Sequence, residues 1–190
     1  HSGYVESHYF CMLEDSGERL WLGSKGEGLL GADLDAAGGD PGRIRFRQYV
    51  HRANDPNSIN GNSIYDLYED REGRIWIAEY GSGLDMVAGD PDDGFTDVNL
   101  HLFPYLPKQI IYGRFITGTK DGRIWFGGMD GICSFDVTPG SNDLRNIQYF
   151  EYRPGDKNSL AYNDVKCIFE DTEGKIWIGT WGGGVNVYHP

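Results

Sequence analysis

A sixteen-residue phrase is written four times into this chain, and it limits the fold more than any other feature. Residues 69–84 read EDREGRIWIAEYGSGL, residues 170–185 EDTEGKIWIGTWGGGV and residues 14–29 EDSGERLWLGSKGEGL, while residues 118–132 give a shorter form, GTKDGRIWFGGMDGI. The anchoring tryptophans Trp21, Trp76, Trp125 and Trp177 stand 55, 49 and 52 residues apart. One aromatic-and-glycine phrase every 40–50 residues or so marks a propeller or another repeat array.

The second repeat shows what one unit is. Ser63–Glu69 is short and rich in aliphatic and aromatic residues, which suits a strand. Asp70-Arg-Glu-Gly73 is a tight polar turn, Arg74–Ala78 a second strand, Gly81-Ser-Gly83 a second turn, and Leu84–Val87 a third strand. A fourth strand is expected near Val98–Phe103. Four short strands joined by glycine turns form an antiparallel meander, the blade of a propeller. No helical period appears, so the expected fold class is all-β. The corresponding strands of the first blade fall near His8–Leu13, Arg19–Gly23, Gly28–Leu34 and Ile44–Val50. The third blade starts with Ile110–Thr117 after the loop Pro104–Lys108, and its outer strand lies near Ile147–Tyr152.

Alternation along Arg74–Ala78 puts Trp76 and Ala78 on one side and Ile75 and Ile77 on the other. Both sides are apolar, as a strand sandwiched between neighbouring sheets requires. A small residue follows each anchor by two positions (Gly23, Ala78, Gly127, Gly179), leaving room for an adjacent sheet. The four tryptophans are therefore expected in the core between blades.

Blade 1 covers about 5–50, blade 2 about 63–103, blade 3 about 110–152 and blade 4 about 164–190. Blade 4 reaches the last residue just after its third strand. Closure is what removes sheet edges, so the chain is expected to be an incomplete propeller or a fragment of a larger one. A homodimer through the open blade faces, or pairing within a larger receptor, is one way to cover them. The connection His51–Asn62 contains Asp55-Pro-Asn-Ser and has a twin in Asp156-Lys-Asn-Ser, clusters suited to satisfying their own loop backbones.

A net charge of −12 argues against nucleic acid as partner and against an anionic membrane surface. No run of 18 apolar residues is present, and the first residues lack the basic start and apolar stretch of a signal peptide; the chain reads as mature, cytosolic or cut from something longer. Cys11, Cys133 and Cys167 show no metal spacing and are expected as buried free thiols.

Catalytic signatures are missing. There is no nucleophile elbow, phosphate loop or zinc-protease motif, and the five histidines are scattered. Gly26–Gly31 matches the dinucleotide glycine spacing, but it lies between two strands with no helix after it. Asp90–Gly94 lacks the alternating oxygens of a calcium loop and reads as a solvated turn. The pairs Glu14/Asp15, Glu69/Asp70 and Glu170/Asp171 recur at one turn in three blades. A catalytic carboxylate pair is normally unique, so these are turn devices. The expectation is no catalytic residue, no metal and no cofactor.

Function is better sought where the repeats disagree. Four residues after each anchor, in the turn facing the blade-to-blade connections, stand Lys25, Tyr80, Met129 and Trp181; just before them come Ser24, Glu79, Gly128 and Thr180. A scaffold that varies only at one rim is arranged like a ligand-reading surface, though ordinary loop variation gives the same pattern. Tyr80 and Trp181 can stack on sugar rings, and Lys25, Glu79, Arg52 and Arg153 can bind hydroxyls or carboxylates. These six are the candidate ligand-binding residues.

The phrases SIYDLYEDREGRIWIA (63–78) and DVKCIFEDTEGKIWIGTWGGGV (164–185), with DKNSL (156–160) upstream, resemble the two-component regulator propeller repeat. The resemblance spans the chain, strongly in blades two and four and weakly in three. It implies the periplasmic sensor region of a hybrid two-component regulator of the kind found in gut Bacteroidetes, built into an inner-membrane protein, binding glycan fragments and controlling polysaccharide-utilisation genes. In that family the kinase and DNA-binding modules lie elsewhere, so this segment is expected to have no catalysis of its own. A propeller glycoside hydrolase or lyase, with Glu79 as the carboxylate to test, and a protein-interaction scaffold are the alternatives.

Overall fold

The computed structural model describes residues 8–98, 104, 106–107 and 109–190. Four antiparallel meanders follow one another along the chain. The first is β1 (Tyr9–Glu14), β2 (Arg19–Ser24), β3 (Leu29–Asp33) and β4 (Arg47–Tyr49). The second is β5 (Ile64–Glu69), β6 (Ile75–Glu79), β7 (Gly83–Val87) and β8 (Thr96–Asp97). The third is β9 (Gly113–Gly118), β10 (Ile124–Gly128), β11 (Gly131–Val137) and β12 (Leu144–Phe150). The fourth has three strands among the described residues: β13 (Val165–Glu170), β14 (Ile176–Thr180) and β15 (Gly184–Tyr188). Strand order within each sheet is sequential, so every sheet is a propeller blade, and the four form an open array. Residues 99–103 of the expected outer strand of blade 2 lie outside the described residues, as do 105 and 108 of the loop that follows it.

The anchor position sits mid-strand in the second strand of each blade, and its register is the same throughout. Trp21 pairs with Leu13, Trp76 with Tyr68, Trp125 with Thr117 and Trp177 with Phe169. The core is divided into three clusters, one per junction between neighbouring sheets. Trp21 and Leu29 of blade 1 pack on Ile64, Ile75 and Ile77 of blade 2. Trp76 and Leu84 of blade 2 pack on Ile116, Ile124 and Phe126 of blade 3. Trp125 and Ile132 of blade 3 pack on Val165, Ile176 and Ile178 of blade 4. Three tryptophans are accordingly buried, each 1% exposed.

Trp177 departs from the expectation: it is 41% exposed, because none of the described sheets covers its side of blade 4. The same reason corrects Cys167. Cys133 is buried, Cys11 is half-buried, and Cys167, on the uncovered side of β13, is exposed. All three are free thiols; burial pushes the Cys11 and Cys133 thiols up to about 12.

The acidic pairs work as turn devices. Asp70 accepts from the backbone of Glu72 and Arg74, from Arg74 Nε at 2.6 Å and from Trp76 Nε1 at 2.9 Å. Glu69 reaches the backbone N–H of Ser16 in the preceding blade, and Glu170 does the same to Lys120 at 2.6 Å. The twin connections also satisfy themselves: Ser58 Oγ accepts from Arg52 N and Ser159 Oγ from Arg153 N, both at 3.0 Å. Asp90 caps the short 3-10 turn Pro91–Asp93 by accepting from Asp92 N. Among the described residues no group of three His, Cys, Asp or Glu side chains is placed to hold a metal ion.

Candidate ligand-binding rim

The turn after the second strand of blades 1, 2 and 3 is stitched to the approach of the next blade. Gly26 and Gly28 donate to Asn62 O, Gly81 and Gly83 to Ile111 O, and Gly131 to Asn163 O. Gly81 and Gly83 have φ of 97° and 98°, a region open to glycine and costly for other residues. This stitching brings the variable turn residues to the same end of the molecule as the starts of the innermost strands β1, β5, β9 and β13.

Tyr80 is the centre of the rim. Its ring stacks on Tyr65 at 4.9 Å between centroids and 22° between planes, and Tyr65 in turn meets Phe10 at 4.2 Å. On its other side Tyr80 meets Tyr112 at 5.0 Å, and its hydroxyl donates to Met129 Sδ at 3.3 Å. The Arg114 guanidinium lies 5.5 Å from the Tyr80 ring centre. In the fourth blade Lys166 Nζ sits 4.9 Å above the Trp181 ring, which is 68% exposed. Asp164 joins the two cations, 3.7 Å from Arg114 and 3.3 Å from Lys166. An aromatic ledge thus runs across three blades into a patch where two cations face one carboxylate.

Phe10, Tyr65, Arg114 and Lys166 all stand eleven residues before their anchors. They were missed in the sequence, although the signal was the one that singled out Tyr80 and Trp181: a position where the repeats disagree. Below them the inner strands β5, β9 and β13 flank an open groove of about 460 Å³, lined by Tyr65, Asp66, Arg114 and Lys166 among others. Burial pushes Asp66 up to about 6, against the two backbone N–H groups of Ile116 and Leu67 that it accepts from. A carboxyl in this range holds its proton in mildly acidic solution and can donate to an oxygen.

Of the other candidates, Lys25 stands in the rim turn of blade 1 and the rest lie elsewhere. Lys25 is exposed, and its backbone bridges Ser63 at the approach to β5. Arg52 and Arg153 sit on the outer connections, in two separate small cavities of about 230 and 130 Å³, paired with Asp55 at 3.6 Å and Glu151 at 3.7 Å. Glu79 is enclosed, at 0% exposure. Its side chain turns inward beneath Gly61, where a Cβ would stand 3.2 Å from Glu79 Oε2, and toward Asp85. Asp85 is equally buried and accepts from Asn60 N and Nδ2, both at 2.6 Å. Burial and the neighbouring Asp85 charge raise the Glu79 carboxyl, and burial raises Asp85 to about 7. The position is a turn closure in other blades: Ser24 Oγ donates to Gly28 O at 2.8 Å and Thr180 Oγ1 to Gly184 O at 3.0 Å.

The family of two-component regulator propellers matches residues 58–81 and 159–182, the two segments that hold the most regular phrases. These two segments carry the two-component regulator propeller repeat. No curated protein matches the chain in sequence. Among solved structures, the extracellular domain of a putative hybrid two-component system from B. thetaiotaomicron shares 22% identity, covers 100% of this chain and superposes with a TM-score of 0.70. PorZ, a surface component of the type-IX secretion system of Porphyromonas gingivalis, shares 15% over 95% of the chain at a TM-score of 0.61. The virginiamycin B lyase of Staphylococcus aureus shares 16% over 100% at 0.58. At these identities the likeness is one of fold. The chain spans 24%, 25% and 57% of the lengths of these three structures. The matched repeat segments end at Gly81 and Gly182, so Tyr80 and Trp181 are the penultimate residues of each repeat, in the part that differs between blades.

Proposed function

We propose that this chain is the ligand-binding propeller of an extracytoplasmic sensor, part of a hybrid two-component regulator, and that its ligand is an oligosaccharide. The observation that carries this is the rim: an aromatic ledge from Phe10 through Tyr65, Tyr80 and Tyr112 that abuts Arg114, Lys166 and the exposed Trp181. Flat aromatic faces suit the apolar faces of sugar rings, and charged groups at their edge orient hydroxyls or carboxylates. The repeat type and the fold shared with a two-component extracellular domain support the sensor assignment. Among the described residues no helix is long and apolar enough to cross a membrane, so the membrane passage of such a receptor would belong to another part of it.

In this account binding does not lead to turnover. Glu79, the carboxylate best placed in the sequence for acid–base work, is sealed beneath the 60–61 loop and shares its site with Asp85. Ligand binding instead shifts a pre-existing equilibrium of the receptor by its differential affinity for two states, and the output is control of polysaccharide-utilisation genes by the receptor's other modules. The test is calorimetric titration of the chain with a panel of neutral and acidic oligosaccharides, with product analysis of the same samples. Binding without products is expected, weakened about tenfold, or about 1.4 kcal/mol, by Trp181→Ala. Products in the samples, or silence across the whole panel, would overturn it.

A further inference from the structure

The inner strand of every blade breaks its ladder at one place. Pairing with the second strand runs from Tyr9–Ser24 to Cys11–Gly23 in blade 1 and from Ile64–Glu79 to Asp66–Ala78 in blade 2. It runs from Gly113–Gly128 to Phe115–Gly127 in blade 3 and from Val165–Thr180 to Cys167–Gly179 in blade 4. One residue is left over each time: Phe10, Tyr65, Arg114 and Lys166. Such a bulge re-aims the side chain it holds. The repeat thus keeps the bulge and varies its occupant, with aromatic rings in blades 1 and 2 and cations in blades 3 and 4.

Arg114 is held in place without being satisfied. Its Nε is enclosed with no hydrogen-bond partner, and so is Asp164 Oδ1, 3.7 Å away. The arginines that serve the core behave differently: Arg74 Nε donates to Asp70 at 2.6 Å and Arg123 Nε to Ser134 Oγ at 3.0 Å. Lys166 Nζ lies 3.3 Å from the same Asp164 oxygen, so one carboxylate stands between two cations. Asp66 lines the same groove, but its oxygens already accept from the N–H groups of Leu67 and Ile116 at 3.0 and 2.9 Å. The neighbours of Arg114 on its two sides, Tyr80 of blade 2 and Asp164 of blade 4, belong to the array itself. A buried donor without a partner calls for one, and a guanidinium fork matches a pair of anionic oxygens.

On the oligosaccharide reading of the rim, on which this depends, we propose that Arg114 is its specificity-determining residue and receives the anionic group of an acidic oligosaccharide, a ring carboxylate or a sulfate ester, with Lys166 beside it. The bulge occupants of blades 1 and 2, Phe10 and Tyr65, continue into the face of Tyr80, whose ring centre is 5.5 Å from the Arg114 guanidinium. Sugar rings can therefore stack along the ledge while a charged ring reaches Arg114. The net charge of −12 repels anions in general, so a preference for an acidic sugar has to come from a local cation.

Calorimetry with matched sugars tests this. The probes are oligogalacturonate, alginate oligosaccharide and sulfated chondroitin oligosaccharide, each beside its carboxyl-reduced form and the last also beside its desulfated form. At least one acidic probe should bind, and its neutralised partner about tenfold more weakly; whether removing carboxyl or sulfate causes the loss identifies the anion. Arg114→Gln, checked for fold by circular dichroism, should make the two members of the pair bind equally, and Arg114→Lys should restore part of the difference. A merely structural role for Arg114 would weaken both members alike and leave their ratio unchanged. A preference that survives Arg114→Gln, or binding confined to neutral sugars, overturns the proposal and leaves the oligosaccharide reading standing. Silence toward every acidic and neutral sugar overturns both.

Discussion

At the scale of the residue, the repeat is held by one carboxylate used three ways. In blades 1, 2 and 4 the Asp six before the anchor accepts from the indole N–H at 2.8, 2.9 and 2.8 Å. Its other oxygen takes two backbone N–H groups of the turn. The turn and the core tryptophan are thus fixed by the same side chain. Blade 3 has Thr119 in that place; Thr119 donates to Asp121 at 2.6 Å, and Trp125 Nε1 is buried without a partner. An unmade buried hydrogen bond costs about 1–3 kcal/mol. Restoring the repeat pattern with Thr119→Asp and Asp121→Glu together should stabilise the fold by about 1 kcal/mol in urea denaturation. Asp70→Ala should cost about 3 kcal/mol in the same measurement, because it strands the buried Arg74 as well as the indole.

At the scale of the element, the strands, their order and the turn devices were legible in the sequence. They depend on local pattern: alternation around the anchor, a glycine at most left-handed turn positions (Glu18 takes the place of Gly73, Gly122 and Gly174 in blade 1), an Asp at fixed distance. What was not legible depends on neighbours. Trp177 has the same local sequence as Trp76, and only the lack of a covering sheet among those described separates 41% exposure from 1%. Glu79 looked like a polar rim residue because it varies between repeats. Its place is the last of β6, where short hydroxyl side chains close the turn in blades 1 and 4 and a longer acid runs inward to Asp85. That pair makes the second blade pH-dependent. The folded-state carboxyls of Glu79, Asp85 and Asp66 are raised by burial, Asp85 to about 7 and Asp66 to about 6. A raised acid binds protons more tightly folded than unfolded, so its contribution is present at low pH and is lost as pH rises through the folded value. From these groups stability should fall between about pH 5 and 8, each tenfold difference in proton affinity between the folded and unfolded chain being about 1.4 kcal/mol. Glu79→Gln, which removes the like-charge contact, should flatten that slope and raise the thermal midpoint at pH 8; an unchanged slope would mean that Glu79 and Asp85 do not share a proton.

At the scale of the whole molecule, two kinds of surface follow from one repeat. Positions that recur build the apolar junctions between neighbouring sheets. Positions that do not recur collect at one end, because the variable turns of blades 1, 2 and 3 are hydrogen-bonded to the approach of the next inner strand and that of blade 4 to its own. The rim is thus a consequence of the meander, and its chemistry is free to change without disturbing the core. Hydrogen–deuterium exchange of the chain with and without its tightest-binding oligosaccharide tests this separation of rim from core. Protection is expected in the turns holding Tyr80 and Trp181 and at the strand starts carrying Tyr65, Arg114 and Lys166, with the outer connections around Arg52 and Arg153 unchanged. Protection confined to those outer connections, or no change at the rim, would contradict it.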